Sequence, residues 1–289
     1  MTTRVKVSIC IPIHNGERFL EATMRSVLAQ DAPGLEIVAL DNASTDRTAE
    51  ILDGHRGDPR LRIETNSTLL PLAENWRRAT ELTTAPLVKV VCADDLITAA
   101  STRVQAEILT AHPEVSLVAG RRDVIDESGR VLHAGRGLRG LIGLHDGSAV
   151  ARQVAWTGVN PIGESAGVMF RRADYDAVGG WNAELTYPMD IRLWFDLLTR
   201  GRLYGLAATQ AAYRMSGDSL TSQQTPEQLR EHRAYLRRLT DDPRWRLLPA
   251  ERLASQFTAP LSFKTWGLRH ALRGLRPSTR SPRGQATLR

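Results

Sequence analysis

Three short polar runs, each directly after an apolar segment, contain the residues best suited to chemistry. Residues 12–17 read Pro-Ile-His-Asn-Gly-Glu, residues 41–46 read Asp-Asn-Ala-Ser-Thr-Asp, and residues 93–95 read Ala-Asp-Asp. Two adjacent acids after a buried strand are costly unless water, a counter-charge or a bound cation compensates them. Carboxylate oxygens and substrate phosphates are the ligands that usually hold Mg²⁺ or Mn²⁺. The runs therefore indicate a metal-assisted site for a phosphate-containing ligand.

Each run also has an explanation that involves no ligand. Ser44 could cap the helix that follows it, with Asp46 interacting favourably with the helix dipole. Asp94 and Asp95 could likewise begin the next helix, and His14 could be an ordinary hydrogen-bonded residue. The occurrence of all three runs at predicted strand ends favours a site.

The elements that must position these runs alternate between strand and helix patterns over the first 120 residues. Short apolar, β-branched segments predict strands at 5–11, 36–40, 61–64, 87–92 and 115–119. Helical spacing of apolar residues predicts helices at 19–30, 46–52, 72–82 and 99–112. This alternation is typical of βαβ units and a mostly parallel sheet, in which ligands bind beyond the carboxyl ends of the strands. We therefore expect the three runs on one rim.

Beyond residue 120 the pattern is less regular. We expect a turn at 126–129, a glycine-rich loop at 135–147, and strands at 166–171 and 204–215. Helices are expected at 190–199, 226–239, 249–257 and 261–275. From residue 277 onward Pro, Ser, Arg and Gly dominate, a composition typical of disorder.

The bulk composition restricts the class of protein. The chain has 289 residues, of which 42% are hydrophobic and 24% charged, and it contains only two cysteines, Cys10 and Cys92. Two cysteines in apolar runs make neither a disulfide scaffold nor a metal cluster. No segment approaches the roughly 20 apolar residues that cross a bilayer, and residues 1–6 lack the apolar region of a secretory signal. A cytoplasmic location is therefore expected.

The formal net charge of +6 is concentrated near the C-terminal end of the sequence. Residues 264–289 contain seven basic and no acidic residues, which leaves 31 basic against 32 acidic residues elsewhere. We expect the segment 261–275, with Trp266, to pack as a helix on the main domain and to precede a solvated tail. The alternative is peripheral contact of this basic segment with the inner face of the membrane. Nucleic acid is not expected as a partner, although basic residues could attract a phosphate backbone.

Several segments resemble those of family 2 glycosyltransferases. Residues 8–17, Ser-Ile-Cys-Ile-Pro-Ile-His-Asn-Gly-Glu, resemble the opening of that family, and residues 41–48 resemble its nucleotide-contacting loop. Asn75, Lys89 and the Ala-Asp-Asp run follow at the family's spacing, the last as a variant of its D-x-D metal motif. Similarity to the acceptor-side half lies at 160–164, 179–182 and 190–194, so that the resemblance covers about residues 5–215.

The resemblance implies an α/β fold of the GT-A type, with a Rossmann-like, mostly parallel sheet flanked by helices and a C-terminal helical extension. Within it we expect a nucleotide-sugar-binding half at 1–120, an acceptor-binding and catalytic half at 121–220, a helical extension at 221–276 and a basic, disordered tail at 277–289. The implied reaction is inverting transfer from a nucleoside-diphosphate sugar, with uridine as the expected base, to a saccharide or lipid-linked hydroxyl acceptor. Mn²⁺ or Mg²⁺ is the implied cofactor, and glycan or cell-surface polysaccharide biosynthesis is the implied context.

Roles for individual residues follow from the same resemblance. Asp190 is the implied catalytic base, although alone it could simply be a first-turn acid of its helix. Asp95 is the implied metal ligand, Asp94 faces the ribose, and Glu164 is the reserve candidate for base or acceptor contact. The residues expected to bind the donor are Pro12, His14, Asn15, Glu17, Asp41, Asn42, Ser44, Asp46, Asn75 and Lys89.

The sequence departs from the family pattern in two places. Ser216 stands where many members have a His that contacts metal or diphosphate, and Arg214 or Asp218 could compensate for it. The Q-x-x-R-W motif of processive synthases is absent from the sequence, which favours a single addition over polymer synthesis. Other interpretations are a nucleotide-sugar-binding protein without transfer activity and a nucleotidyltransferase, although residues 12–17 lack the Lys or Arg typical of the latter.

Overall fold

The computed structural model describes residues 6–182, 184, 187–217 and 225–258. In these residues the strands are β1 (Val7–Ile13), β2 (Leu35–Asp41), β3 (Leu61–Thr65), β4 (Leu87–Val90), β5 (Leu96–Ile97), β6 (Val115–Ile125), β7 (Val131–Arg136), β8 (Gly143–His145), β9 (Val168–Arg171) and β10 (Arg202–Arg214). The helices are α1 (Leu20–Leu28), α2 (Thr48–Asp53), α3 (Leu72–Glu81), α4 (Ser101–Ala111), α5 (Gly147–Thr157), α6 (Arg172–Ala177), α7 (Met189–Leu197), α8 (Pro226–Asp241) and α9 (249–258).

All the described strands belong to one sheet with the order β3-β2-β1-β4-β9-β6-β10-β5, to which β7 and β8 add at β6 and β10. Six of its strands (β3, β2, β1, β4, β6 and β10) point the same way, and β9 runs against its neighbours β4 and β6. Ile13 of β1 pairs with Asp41 of β2, and Cys10 of β1 pairs with Val90 of β4. The carboxyl ends of β1, β2 and β4 therefore lie at the same edge.

Two apolar layers, one on each face of the sheet, hold the fold together. All seven residues of β1 are buried, as expected for a parallel strand covered on both faces. On one face Ile9 and Ile11 pack in a cluster that includes Leu20 and Met24 of α1. On the other face the cluster includes residues of α5 and α7, among them the fully buried Trp194.

The alternation expected through residue 120 is confirmed, and β6 continues across that residue to Ile125. The loop expected at 135–147 is confirmed only for residues 137–142, because β7 ends at Arg136, β8 follows at Gly143 and α5 begins at Gly147. Gly147 signalled a loop in the sequence but begins α5 in the structure. A Cβ at this position would lie 2.4 Å from the Trp245 ring, so close packing explains the glycine.

The C-terminal part of the described chain is helical and packs against α5. A capping box between Thr225 and Gln228 begins α8, and His232 of this helix bonds the carbonyl oxygen of Gly158 at 2.9 Å. The predicted helix at 261–275 and the tail at 277–289 lie outside the described residues. Among the described helices, none combines the length and apolar character that a membrane span requires.

Candidate functional site

The loop after β1 and the loop after β2 are joined by reciprocal hydrogen bonds. The backbone amide of Asn15 donates to Ser44 Oγ at 2.9 Å, and the side-chain oxygen of Asn15 accepts a hydrogen bond from the backbone amide of Thr45 at 2.9 Å. One step further, the Glu17 amide donates to Asp46 Oδ2 at 2.9 Å. These four predicted donor-binding residues, Asn15, Glu17, Ser44 and Asp46, therefore bind each other and fix the shape of the rim.

The strained backbone of these loops explains why such bonds are needed. Asn15 and Ala43 have φ of 49° and 52°, a region that costs energy for residues other than glycine. Burial raises the pKa of Asp46, but hydrogen bonds from Thr48 and from the Glu17 amide outweigh burial and lower it below its ordinary value. An ionised Asp46 thus stabilises this conformation.

A layer of buried amides supports the loop after β2 from below. The Asn42 side chain donates to the Leu70 carbonyl at 2.9 Å and accepts from Asn66 Nδ2 at 2.8 Å. Asn66 also donates to Asn75 Oδ1 at 3.2 Å. In this arrangement Asn42 and Asn75 hold the loop, while the Asp41 carboxylate accepts the amide of Ser44 at 3.0 Å.

The acid pair after β4 lies against the end of β10. Asp95 is buried, and its Oδ1 accepts the amide of Arg214 at 3.0 Å. The Arg214 guanidinium donates to the Asp94 carbonyl at 2.8 Å and stacks on the Phe19 ring. Arg214 and Asp218 were the two residues expected to compensate for Ser216, which stands where many family members have a His. Arg214 contacts the acid pair, whereas Asp218 lies outside the described residues.

The charge balance of the acid pair fits a divalent cation. Burial raises the pKa of both carboxyl groups, and the charge of Asp94 raises that of Asp95 further, well above its ordinary range. Such a pair is costly to ionise without a bound positive charge. Ligand atoms of Cys92, Asp94 and Asp95 lie within 4.8 Å of one another. Burial raises the pKa of the Cys92 thiol well above its ordinary value, so the oxygens are the fitting ligands for Mg²⁺ or Mn²⁺.

A further acidic group, Asp190, lies near this segment, because its charge adds to the effect of burial in raising the pKa of the Cys92 thiol. Asp190, in the first turn of α7, accepts a long hydrogen bond of 3.4 Å from Asn160 Nδ2. Burial raises the pKa of Asp190 to about 7, and the negative charge of Glu164 adds to this effect. The same charge also raises the pKa of Asp95, which indicates that Glu164 lies near both acids.

Glu164 is held in place by Arg122, which comes from the middle of β6. Arg122 Nη2 donates to Glu164 Oε1 at 3.2 Å, and Arg122 Nε contacts the second carboxylate oxygen. A Cβ on Gly163 or Gly137 would approach the guanidinium to 2.6 or 2.4 Å, and both glycines have positive φ. The two glycines therefore make room for an arginine beside the candidate base.

The predicted site residues do not all reach the rim. His14 is exposed and bonds the Asn42 carbonyl at 3.0 Å, whereas Pro12 is buried within β1. Lys89 is fully buried, and its Nζ donates to Gln105 of α4 at 2.8 Å. Burial lowers the pKa of Lys89 to about 7. Lys89 thus lies in the interior between β4 and α4.

Two site residues were missed by the sequence reasoning. Arg122 lies in a strand that also carries Arg121 and Asp123, and this break in an apolar run was the available signal. Asn160 belongs to the segment 160–164 that resembles the acceptor-side half of the family, but the sequence does not predict its contact with Asp190. Its side-chain oxygen accepts the amides of Ile162 and Gly163 at 3.0 and 3.1 Å, so it shapes the loop that carries Glu164.

The fold, a mostly parallel sheet flanked by helices, is of the GT-A type, and solved structures of glycosyltransferases share it. The Staphylococcus aureus TarS 1–349 structure in complex with UDP-GlcNAc has a TM-score of 0.68 at 15% identity, covering 95% of this chain and 77% of that chain. The mannosyltransferase PcManGT from Pyrobaculum calidifontis, in complex with GDP-Man and Mn²⁺, has a TM-score of 0.64 at 19% identity, covering 96% and 77%. At these identities the likeness establishes the fold, which confirms the predicted architecture.

The family is established by sequence. The family model described as "Glycosyl transferase family 2" matches residues 8–179, and the chain belongs to this family. The uncharacterized protein MT1568 of Mycobacterium tuberculosis is 29% identical over 205 residues, which cover 67% of this chain and 62% of that protein. The chain therefore matches less than two thirds of the length of this relative.

Proposed function

We propose that the protein transfers a sugar from a nucleoside-diphosphate sugar, with UDP as the first candidate nucleotide, to a hydroxyl acceptor with inversion. The transfer would be a single addition in glycan or cell-surface polysaccharide biosynthesis. The observation that carries the proposal is Asp190, a carboxyl whose burial raises its pKa to about 7, close to the segment that holds the half-buried Asp94 and the buried Asp95. A base with a pKa near the working pH is the group that such a displacement needs.

The donor would bind along the rim formed by the loops after β1 and β2. His14 and Asp41 are our candidates for base and ribose contacts, with Asp94 facing the ribose. Preorganisation by the loop-to-loop hydrogen bonds supports this assignment, because an already ordered rim loses less conformational freedom on binding. The donor class is also supported by the UDP-GlcNAc and GDP-Man bound to the two structures of similar fold.

Asp95, with Asp94 beside it, would hold Mn²⁺ or Mg²⁺. When bound, the ion would supply positive charge that offsets the charge developing on the departing diphosphate. The Arg214 guanidinium lies over Phe19 and against the Asp94 carbonyl, so it orders the loop that presents both acids.

Asp190 would take the proton from the acceptor hydroxyl as that oxygen attacks the anomeric carbon. The attack comes opposite the leaving diphosphate, so a single displacement inverts the configuration and needs one carboxylate base. Glu164, fixed by Arg122, is our candidate for a contact to the acceptor. Its negative charge keeps the pKa of Asp190 high and so helps Asp190 accept the proton.

Thermal unfolding with nucleotides tests the donor site. UDP, dTDP and GDP would each be added with Mn²⁺, Mg²⁺ or EDTA, and a ligand at 100 times its dissociation constant stabilises by about 2.7 kcal/mol. We expect a metal-dependent shift with one nucleotide, lost in Asp95→Asn and retained in Asp190→Asn. Asp176→Asn, at a 59% exposed side chain on α6, is the matched control. Metal-independent shifts, or an unchanged shift in Asp95→Asn, would contradict the metal assignment.

A further inference from the structure

The last described helix, α9, buries polar side chains and exposes apolar ones. Glu251 and Ser255 are buried against the protein, whereas Leu253 and Phe257 are 57% and 69% exposed. Because Leu253 and Phe257 are four residues apart, they lie on one face of the helix. An outward apolar face on a helix that buries its polar residues indicates a surface made for contact.

Exposed apolar residues continue onto the end of α5. Thr258 Oγ1 donates to the carbonyl of Ala155 at 2.9 Å and ties the two helix ends together. Phe257 precedes Thr258, and the 56% exposed Trp156 follows Ala155, so that the two aromatic residues flank this hydrogen bond. Leu253, Phe257 and Trp156 together form the apolar face.

Arginines border the apolar face. A groove between α8 and α9 is lined by Arg233 and Arg237 of α8 together with Gln256, which is next to Leu253 on the helix surface. Arg152 of α5 lies beside the buried side of α9, where it pairs with Glu251 at 3.7 Å. The sequence that follows α9 continues this charge, because residues 264–289 include seven basic and no acidic residues.

We propose that the apolar face and its arginines dock on the surface of an anionic lipid bilayer. Aromatic and aliphatic side chains can enter the boundary between headgroups and acyl chains while neighbouring arginines pair with anionic headgroups. Docking of a second copy of the chain on this face is disfavoured by charge repulsion, because it would bring two sets of these arginines together. Packing of residues 259–276 on the face would add more basic residues to the same arginines. Charge complementarity thus selects anionic lipid as the occupant.

The position of this face suggests the class of acceptor, an extension that rests on the proposed function. Trp156 lies near the end of α5, four residues before Asn160, which contacts Asp190 and begins the loop that carries Glu164. A bilayer docked at Trp156 would therefore lie beside the acceptor half of the site. A saccharide linked to a membrane lipid is the acceptor that fits this geometry.

Vesicle sedimentation of the full chain tests the proposal directly. Vesicles of phosphatidylglycerol and phosphatidylcholine would be compared with phosphatidylcholine alone, at low and high salt. We expect salt-sensitive pelleting with the anionic vesicles, and a fall of about tenfold in the partition coefficient for Leu253→Ser/Phe257→Ser. Val131→Ser, an exposed apolar residue on β7, is the matched control and should pellet like the wild type.

If something other than a bilayer covers the apolar face, the experiment gives a different result, and each of these results would overturn the proposal. A second copy predicts that the double variant changes the mass measured by light scattering but not vesicle binding. Residues 259–276 as the occupant predict a lower unfolding temperature with unchanged pelleting. Equal pelleting of wild type and double variant, or equal binding to both kinds of vesicle, would also refute it. Nucleotide binding, measured by thermal unfolding without vesicles, reports separately on the proposed function.

Discussion

Replacement of Asp190 with Asn should have opposite effects on stability and on transfer. Burial raises the pKa of this carboxyl from 3.8 to about 7, so the native protein binds the proton more tightly than the unfolded chain. The stability that this proton contributes is fully present below about pH 4 and is lost as the pH rises to about 7. A shift of this size corresponds to about 4 kcal/mol as an upper value.

Asn has nearly the same shape as Asp and cannot ionise, so it removes this pH-dependent loss. Since water reaches part of the Asp190 side chain, we expect the stability of Asp190→Asn relative to wild type to increase by about 1–3 kcal/mol between pH 5 and pH 8. Urea unfolding at the two pH values measures this difference. EDTA should be present, because a bound cation near Asp95 would change the charge balance around Asp190.

Transfer should respond in the other direction. Loss of a general base typically costs a factor of about 10²–10⁴ in rate, whereas donor binding should stay close to that of the wild type. The exposed control Asp176→Asn should show neither effect. A stability difference that does not change with pH would refute the argument from burial. Turnover near the wild-type rate would refute Asp190 as the base.

Two further variants test the packing of interior residues. Gly163→Ala should destabilise the fold by about 1–3 kcal/mol and impair transfer, because φ is +104° and the new Cβ would press on the Arg122 guanidinium. Thermal unfolding measures the loss of stability. Gly129→Ala should destabilise the fold less, because Gly129 also has positive φ but has no atom within 4 Å of an added Cβ. Because burial lowers the pKa of Lys89 to about 7, wild-type stability should rise by about 1–2 kcal/mol between pH 7 and pH 9. Lys89→Met, which leaves the Gln105 side-chain oxygen without its donor, should not show this increase in stability when unfolding in urea is compared at the two pH values. An increase equal to that of the wild type would contradict the assignment of the pH dependence to Lys89.

The first half of the fold could be predicted because the hydrophobic pattern determines it almost alone. Mostly apolar runs such as Val7–Ile13 fit a strand covered on both faces, and the helices between such strands favour parallel pairing. Parallel pairing of adjacent strands then brings Asp41 and the Asp94–Asp95 pair to one edge. The rim was therefore predictable from local patterns and one topological rule.

Side-chain partners were not predictable in the same way, because they depend on residues far apart in the sequence. Asn15 and Ser44 look like ligand-binding residues in isolation, yet the structure bonds them to each other across 29 positions. Lys89 follows the family spacing, but the direction of its side chain from β4 places it against Gln105 of α4. A strand residue points to one face or the other, and spacing alone does not say what covers that face.

The burial that makes Asp190 a suitable base also makes a cation necessary in the proposed reaction. Asp95 and Asp190 both have raised pKa values because they are withdrawn from water, and the charge of Glu164 acts on both. A diphosphate brought to this acidic site without a cation would meet like charge in a medium of low dielectric, where repulsion is strong. Arg122 is already engaged by Glu164, so its charge is only partly available to the donor. In the proposed reaction, metal dependence and a base with a pKa near neutrality would therefore both follow from one arrangement of carboxyl groups withdrawn from water.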